Sequence, residues 1–337
     1  MIGMALKHKM TGSELIISPK GVVYHIDMAR RNGFPSRFLL MGDPKRVEKA
    51  IEFLDGKKIY DRKENREFCT VRGKYRGVPV SLMGTGIGPD NTEIAIVESH
   101  AVLEYLHEKN IWKPLEEPAS FVRAGTSGSP QKSVQLGCVA ISKHAIGLDN
   151  TGLYYLHKPL VEYKNIDDVF YTPNDPIAIK IWNEVQRALP YNALQVIKPY
   201  VSTATPLVVG ALEEAAAEMV KKGELLGFES GITTSAPGFF APQGRKVGRL
   251  GNILIPDLQK RLATIKIEKH LGIERAANNE METSVLLRLA GEILGYNVGA
   301  VCSVIANRAK GEFISASEFA RSVDASIKAG LEALIRF

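Results

Sequence analysis

The feature that most constrains this chain is a repeated local pattern: a short apolar run ends at glycine, turns, and gives way to helical spacing. Residues Arg37 to Gly42 read as a buried strand ending in Gly-Asp-Pro, where Asp43 suits an N-cap and Pro44 the first helical position. Val47, Ala50, Ile51 and Leu54 then recur at helical spacing. Phe68 to Arg72 and Val78 to Met83 predict a hairpin around Tyr75-Arg76-Gly77. A glycine-rich turn, Gly84 to Pro89, leads into a helix with Ile94, Val97, Ala101 and Tyr105 on one face. Ser120 to Arg123 reads as a strand running into Gly125-Thr126-Ser127-Gly128. Later strands are predicted over Leu225 to Ser235 and Val298 to Ala306. Helices are predicted over about Pro176 to Leu189, Leu207 to Lys222, Thr283 to Leu294 and Ser315 to Ile335. Ala236 to Gly251, rich in Gly, Pro and Arg, reads as a long loop of the kind that often serves as a lid. Strands alternating with helices argue for one α/β domain on a mostly parallel or mixed sheet, with ligands at the strand-end loops.

Composition narrows the class. With 45% apolar and 24% charged residues over 337 positions, the chain is globular and neither disordered, collagenous nor a coiled coil. Its charge, 43 − 37 = +6, suits a phosphate-bearing ligand and permits nucleic acid. Cys69, Cys138 and Cys302 are far apart and form no Cys-x-x-Cys pair, so neither a disulfide framework nor a zinc site is expected. The N-terminal stretch carries lysines and no apolar signal-peptide core, and no run approaches the ~18 apolar residues of a membrane span. The expectation is a cytoplasmic protein.

Three strand-end loops combine glycine with arginine or threonine: Gly42-Asp43-Pro44-Lys45-Arg46, Gly84-Thr85-Gly86 and Arg123-Ala124-Gly125-Thr126. Glycine lets the backbone approach an anion, threonine adds a hydroxyl, and arginine grips phosphate oxygens. Each loop alone is equally an ordinary tight turn. No Walker sequence and no Gly-x-Gly-x-x-Gly between strand and helix is present, which argues against ATP and dinucleotides. Asn279-Glu280-Met281-Glu282 enters a predicted helix; Glu282 can accept from a vicinal diol, or the acids can simply complement the helix dipole. In the long loop, Gln243 and Arg245 beside Phe239 and Phe240 can read a planar heterocycle with adjacent carbonyl and N–H groups, or be solvated. His25 can touch a ligand or be structural.

Taken together these segments resemble the nucleoside phosphorylase family of the uridine phosphorylase type. The matching pieces run in order: Gly-Asp-Pro-Lys-Arg at 42–46, Asn-Arg-Glu-Phe at 65–68, Gly-Thr-Gly-Ile-Gly at 84–88 and Val-Arg-Ala-Gly-Thr-Ser-Gly at 122–128. They continue with Gln-Gly-Arg at 243–245, Asn-Glu-Met-Glu-Thr at 279–283 and Val-Ile-Ala-Asn-Arg at 304–308. The resemblance implies a single domain over 1–337, with a central mixed sheet forming a distorted barrel flanked by helices. Residues 1–20 would be an N-terminal extension and about 155–200 an insertion.

The resemblance further implies reversible phosphorolysis of uridine to uracil and ribose 1-phosphate, in pyrimidine salvage. Gly42, Arg46, Arg123 and Thr126 match phosphate ligands, and Arg66 matches an arginine supplied by a neighbouring subunit. Met281 and Glu282 match ribose contacts, and His25 a histidine that reaches the neighbour's sugar. Gln243, Arg245 and a stacking Phe239 match the uracil readers, with Ser127 and Gly128 along the base. The implied catalytic set is Arg123, Arg245, Gln243 and Glu282. The purine branch places an aspartate after its last core strand, where this chain reads Ile305-Ala306-Asn307. No cofactor is expected beyond inorganic phosphate as co-substrate. Glu67 matches a position near a monovalent cation in some relatives, but Asn91 stands where serine is usual, so no metal is expected. The implied partners are uridine, phosphate and further copies of the chain in a homodimer or larger homo-oligomer, with no membrane or nucleic acid. The alternatives are a purine nucleoside phosphorylase or a nucleosidase on the same fold, or a non-catalytic nucleoside- or nucleic-acid-binding protein.

Overall fold

The computed structural model describes residues 10–30, 35–172, 175–269 and 272–337. Residues 1–9 of the expected N-terminal extension lie outside them. The first half runs β1 (Arg37–Met41), α1 (Pro44–Ile51), β2 (Ile59–Asn65), β3 (Phe68–Tyr75), β4 (Val78–Gly84), α2 (Pro89–Glu104), β5 (Tyr105–Leu106), β6 (Ile111–Trp112), β7 (Ser120–Ser129) and β8 (Val139–Gly147). Then come α3 (Pro176–Ala188), α4 (Tyr191–Ile197), β9 (Tyr200–Thr203), α5 (Pro206–Lys221) and β10 (Phe228–Ser235). The chain ends with α6 (Leu258–Ala263), β11 (Lys266–Lys269), β12 (Gly272–Glu280), α7 (Thr283–Leu286), β13 (Asn297–Asn307), β14 (Glu312–Phe313) and α8 (Ala316–Leu334). A π-helical stretch, Leu287–Ile293, prolongs α7.

Local chemistry accounts for the element starts. The Asp43 carboxylate accepts the Lys45 N–H at 2.9 Å and Pro44 opens α1. Ser315 and Glu318 form a capping box at α8. The main sheet follows the order β11-β12-β10-β8-β13-β7-β1-β4-β3-β2 and is mixed. β1 pairs in parallel with β4 and β7, and β13 pairs in parallel with β7 from Asn297 to Asn307. β13 and β8 run antiparallel. β12 also meets β7 at Asn279 and Gly128, so β7, β13, β8, β10 and β12 close into a ring. This is a single α/β domain whose sheet is ring-like.

Helices cover the sheet on either side. Phe38 and Phe121 stack at 4.5 Å in the main core, against which α8 packs. A second apolar cluster, including Ile146, Ile181, Trp182, Val185 and Ile267, seats α3 beside the ring. Among the described residues no helix is long and apolar enough to cross a membrane.

One strand runs further than its sequence suggests. β7 does not stop at Arg123 but continues through the glycine-rich segment to Ser129, because β13 offers it a partner along its whole length.

Candidate active site

The C-terminal ends of β1, β4, β7, β10, β12 and β13 deliver residues to one cavity of about 920 Å³. Strand ends of a largely parallel sheet are where loops can converge without blocking each other. Eleven of the thirteen residues singled out above line it, all but His25 and Arg66.

At one end lie two arginines. Arg46, in the first turn of α1, donates to Thr126 Oγ1 at 3.1 Å and, among the described residues, pairs with no carboxylate. Burial, and then the nearby Arg123 charge, hold its pKa below the ordinary value. Arg123 is 6% exposed, hydrogen-bonds Glu282, and lies 3.8 Å from Glu280. Burial opposes its charge, but Glu282 and Glu280 outweigh burial and raise its pKa. The side chain folds back along its own strand, which only glycine at 125 permits: a Cβ there would stand 1.7 Å from Arg123 Nη1. A Cβ on Gly42 would enter the same space, 3.8 Å from Arg123 Nη2. Two guanidiniums, a hydroxyl and open glycine backbone make a cradle for an anion.

The middle of the cavity is formed by Met281 and Glu282. Asn279 and Glu280 end β12 rather than entering a helix, and Glu282 occupies the N-cap of α7. Glu282 Oε1 accepts the Gly88 N–H at 2.9 Å while its other oxygen faces Arg123. Burial and Glu280, opposed by Arg123, push the Glu282 carboxyl up. Glu280 accepts the backbone N–H of Glu282 at 2.9 Å and of Thr283 at 3.1 Å, and the Ser235 hydroxyl. A buried carboxylate bonded in this way fixes the loop that carries Met281 and Glu282.

The far end holds Gln243, Arg245, Phe239, Ser127 and Gly128. The Arg245 guanidinium carbon sits 3.8 Å above the Phe239 ring, a cation–π stack. Burial, and then the charge of Arg308, lower its pKa to about 10, so it stays cationic at neutral pH. Arg245 Nε is buried with no partner among the described residues. Asn307 also lines the cavity, but its amide is committed. Nδ2 donates to the carbonyls of Gln131 and Val134 at 3.1 and 2.9 Å, and Oδ1 accepts the Lys310 N–H at 3.0 Å.

His25 and Arg66 stand together outside the cavity. His25 Nδ1 meets Glu98 Oε1 at 2.7 Å, and Arg66 Nη2 donates to the Tyr24 hydroxyl at 2.9 Å. Asn65 Nδ2 ties the two segments by donating to the carbonyls of Tyr24 and His25, each at 3.0 Å. Arg308 and Glu280 also line the cavity, and neither carries a signal of its own in the sequence. Arg308 closes the 304–308 segment, whose sequence is distinctive only in lacking an aspartate. Glu280 directly precedes Met281 and Glu282.

Known proteins resemble this chain along most of its length. The profile of the phosphorylase superfamily matches residues 36–336. A uridine phosphorylase of Thermococcus kodakarensis is 30% identical over 92% of this chain and 86% of its own. That of Escherichia coli is 25% identical over 94% and 98%. A crystal structure of a Trypanosoma brucei nucleoside phosphorylase, described as showing uridine phosphorylase activity, superposes with a TM-score of 0.84. It is 29% identical and covers 96% of this chain and 100% of its own.

Proposed function

Because the chain belongs to the phosphorylase superfamily, we propose that it is a uridine phosphorylase, a pentosyltransferase converting uridine and phosphate to uracil and ribose 1-phosphate. The observation that carries this reading is the order of groups along one cavity. An anion cradle of Arg46, Arg123 and Thr126 lies at one end, Met281 and Glu282 in the middle, and Gln243 with Arg245 at the other.

The chemistry follows from that order. Phosphate on the cradle lies beneath the sugar, whose hydroxyls Glu282 accepts and whose apolar face Met281 covers. As the bond from C1′ to uracil N1 breaks, the electron pair passes to the base, the sugar gains oxocarbenium character and a phosphate oxygen bonds C1′. Arg245 and Gln243, with Arg308 adding positive potential, stabilise the charge arriving on the base as preorganised donors. Positioning supplies much of the rate, and no covalent nucleophile is needed. Gln243 offers an amide oxygen to the uracil N3–H and an amide N–H to a carbonyl. A purine would need a proton donor near its N7, and the Asn307 amide is already spent on backbone carbonyls.

Charge balance supports a shared site. Glu282 and Glu280 offset Arg123, which leaves Arg46, among the described residues at this end of the cavity, as the free cation for a phosphate that carries more than one charge. A neighbour's Arg66 supplies the second, and its His25 the sugar contact, in a homodimer or larger assembly. The chain would act in the cytoplasm, as one domain with about 155–200 as an insertion, and without a cofactor. The test is release of uracil from uridine with and without phosphate, beside cytidine and inosine. We expect phosphate-dependent cleavage of uridine, with cytidine and inosine slower by ~10²-fold or more. Inosine cleaved as fast as uridine would favour the purine reading, and cleavage without phosphate a nucleosidase.

A further inference from the structure

Behind the cavity lies a buried carboxylate that the chemistry above does not use. Asp149 follows β8, is 3% exposed, and does not line the cavity. Four donors converge on it: the Thr151 N–H at 2.9 Å, the Gly152 N–H at 3.4 Å, the Tyr200 hydroxyl at 3.0 Å and the Ser284 hydroxyl at 2.9 Å. The two backbone N–H groups can only donate, and the two hydroxyls donate here to the ionised carboxylate; an amide of the same shape would force those hydroxyls to reverse. Burial nonetheless pushes the Asp149 carboxyl up, with its hydrogen bonds to Ser284 and Tyr200 opposing.

The connections lead toward the reaction. Ser284 is the second residue of α7, and its backbone N–H donates to Ser235 Oγ at 3.0 Å. The Ser235 hydroxyl in turn donates to Glu280, which holds the N–H groups of Glu282 and Thr283 and stands 3.8 Å from Arg123. On the other side, Tyr200 lies 6.0 Å from the guanidinium of Arg288. Arg288 sits in the π-helical stretch, 0% exposed, and grips the Val169 carbonyl at 2.9 Å and His157 Nε2 at 2.7 Å. Bonded buried chains such as Asp149–Ser284–Ser235–Glu280 hold one geometry, and a misplacement of a catalytic group by about 1 Å can cost ~10²-fold in rate.

We propose that Asp149, through Ser284 and Ser235, is a positioning residue that sets the Glu280–Met281–Glu282 loop against Arg123. The assignment rests on the phosphorylase reading of that loop, because it is the loop's chemistry that the positioning serves.

The experiment compares the purified full chain with Asp149→Asn, Ser284→Ala and the double variant, in uridine phosphorolysis, with kcat, both KM values and Tm measured for each. Asp149→Asn keeps one oxygen for the Thr151 and Gly152 N–H groups but removes the charge and sets an NH2 against the Ser284 and Tyr200 hydroxyls, which must reverse to accept from it. Its kcat per folded molecule should fall about tenfold to a hundredfold, with KM for uridine and phosphate changing much less. Ser284→Ala deletes only the link and leaves Asp149 three donors, so it carries the test if Asp149→Asn does not fold. In the double variant the two losses should not multiply, since both act through one chain of bonds. Variants that lose Tm but keep wild-type kcat and KM would overturn the proposal, as would multiplicative losses in the double variant. A wild-type protein that leaves uridine intact would instead sink the phosphorylase reading.

Discussion

Among single residues, Arg46 offers a cleaner probe of the cradle than Arg123. Removing Arg123 strands Glu280 and Glu282 as buried charges, which costs about 3–5 kcal/mol of stability and confounds the reading. Arg46 is half-buried with one hydroxyl partner. Arg46→Ala should leave Tm nearly unchanged while kcat/KM for phosphate drops roughly ten- to over a hundredfold, the worth of a charge-assisted bond. Steady-state kinetics with varied phosphate reads this directly, and an unchanged phosphate KM and kcat would place the anion elsewhere. Arg245→Ala should show the converse pattern, with turnover damaged more than phosphate affinity. Residue-level chemistry was legible in the sequence where it was local: Gly42 with Arg46, and Arg123 with Gly125 and Thr126, announce themselves by type and spacing. Glu280 and Asp149 did not, because an acidic side chain becomes a positioning group only through donors that arrive from distant strands. Arg308 was hidden in the same way, since its meaning depends on Arg245 lying close by.

At the level of elements, the strands and helices with clear periodicity, such as β1, α1, β4, α5 and α8, could be read in advance. β8 and β12 could not. β8 reads Val-Ala-Ile-Ser-Lys-His-Ala-Ile-Gly, and β12 ends in Ala-Ala-Asn-Asn-Glu. Polar residues such as Asn278 and His144 are buried there because neighbouring strands give each a partner: the Thr233 hydroxyl on β10 donates to Asn278 Oδ1 at 2.7 Å, and His144 Nδ1 meets Thr203 Oγ1 on β9 at 3.1 Å. The π-helical stretch after α7 likewise has no sequence periodicity of its own. These buried groups make the fold sensitive to acid. Burial lowers the pKa of His144 to about 4, and burial followed by the Arg288 charge does the same for His157. Unfolding restores both toward about 6.5, so the unfolded chain binds more protons between those values. The stability they contribute is therefore complete above about pH 6.5 and is lost as pH falls toward 4. Reversible melts should show Tm lower by about 5 °C or more at pH 5 than at pH 7. His144→Gln should flatten that slope, and a Tm constant across this range would contradict the argument.

On the scale of the whole molecule, the exposed Tyr24 and Arg66 beside the half-buried His25 make a prediction about assembly. If each cavity borrows His25 and Arg66 from a neighbour, His25→Ala and Arg46→Ala subunits should both be weak alone. Mixed after dissociation and reassociation, they should regain up to about a quarter of wild-type activity, because half the dimers then hold one intact site. A fully active monomer by light scattering would refute the shared site. The ring also has a temporal side. It closes where Asn279 meets Gly128, with nearly half the chain between them, and β13, the partner of β7 along its length, follows later still. During synthesis Arg123 therefore emerges long before Glu280 and Glu282, and waits as an uncompensated cation on a strand paired with β1 on one side and bare on the side that β13 will cover. Contacts of such long sequence separation make for slow folding. Chains truncated before β13 should have no site at all rather than a weakened one, and refolding from denaturant should return activity only in its slowest phase.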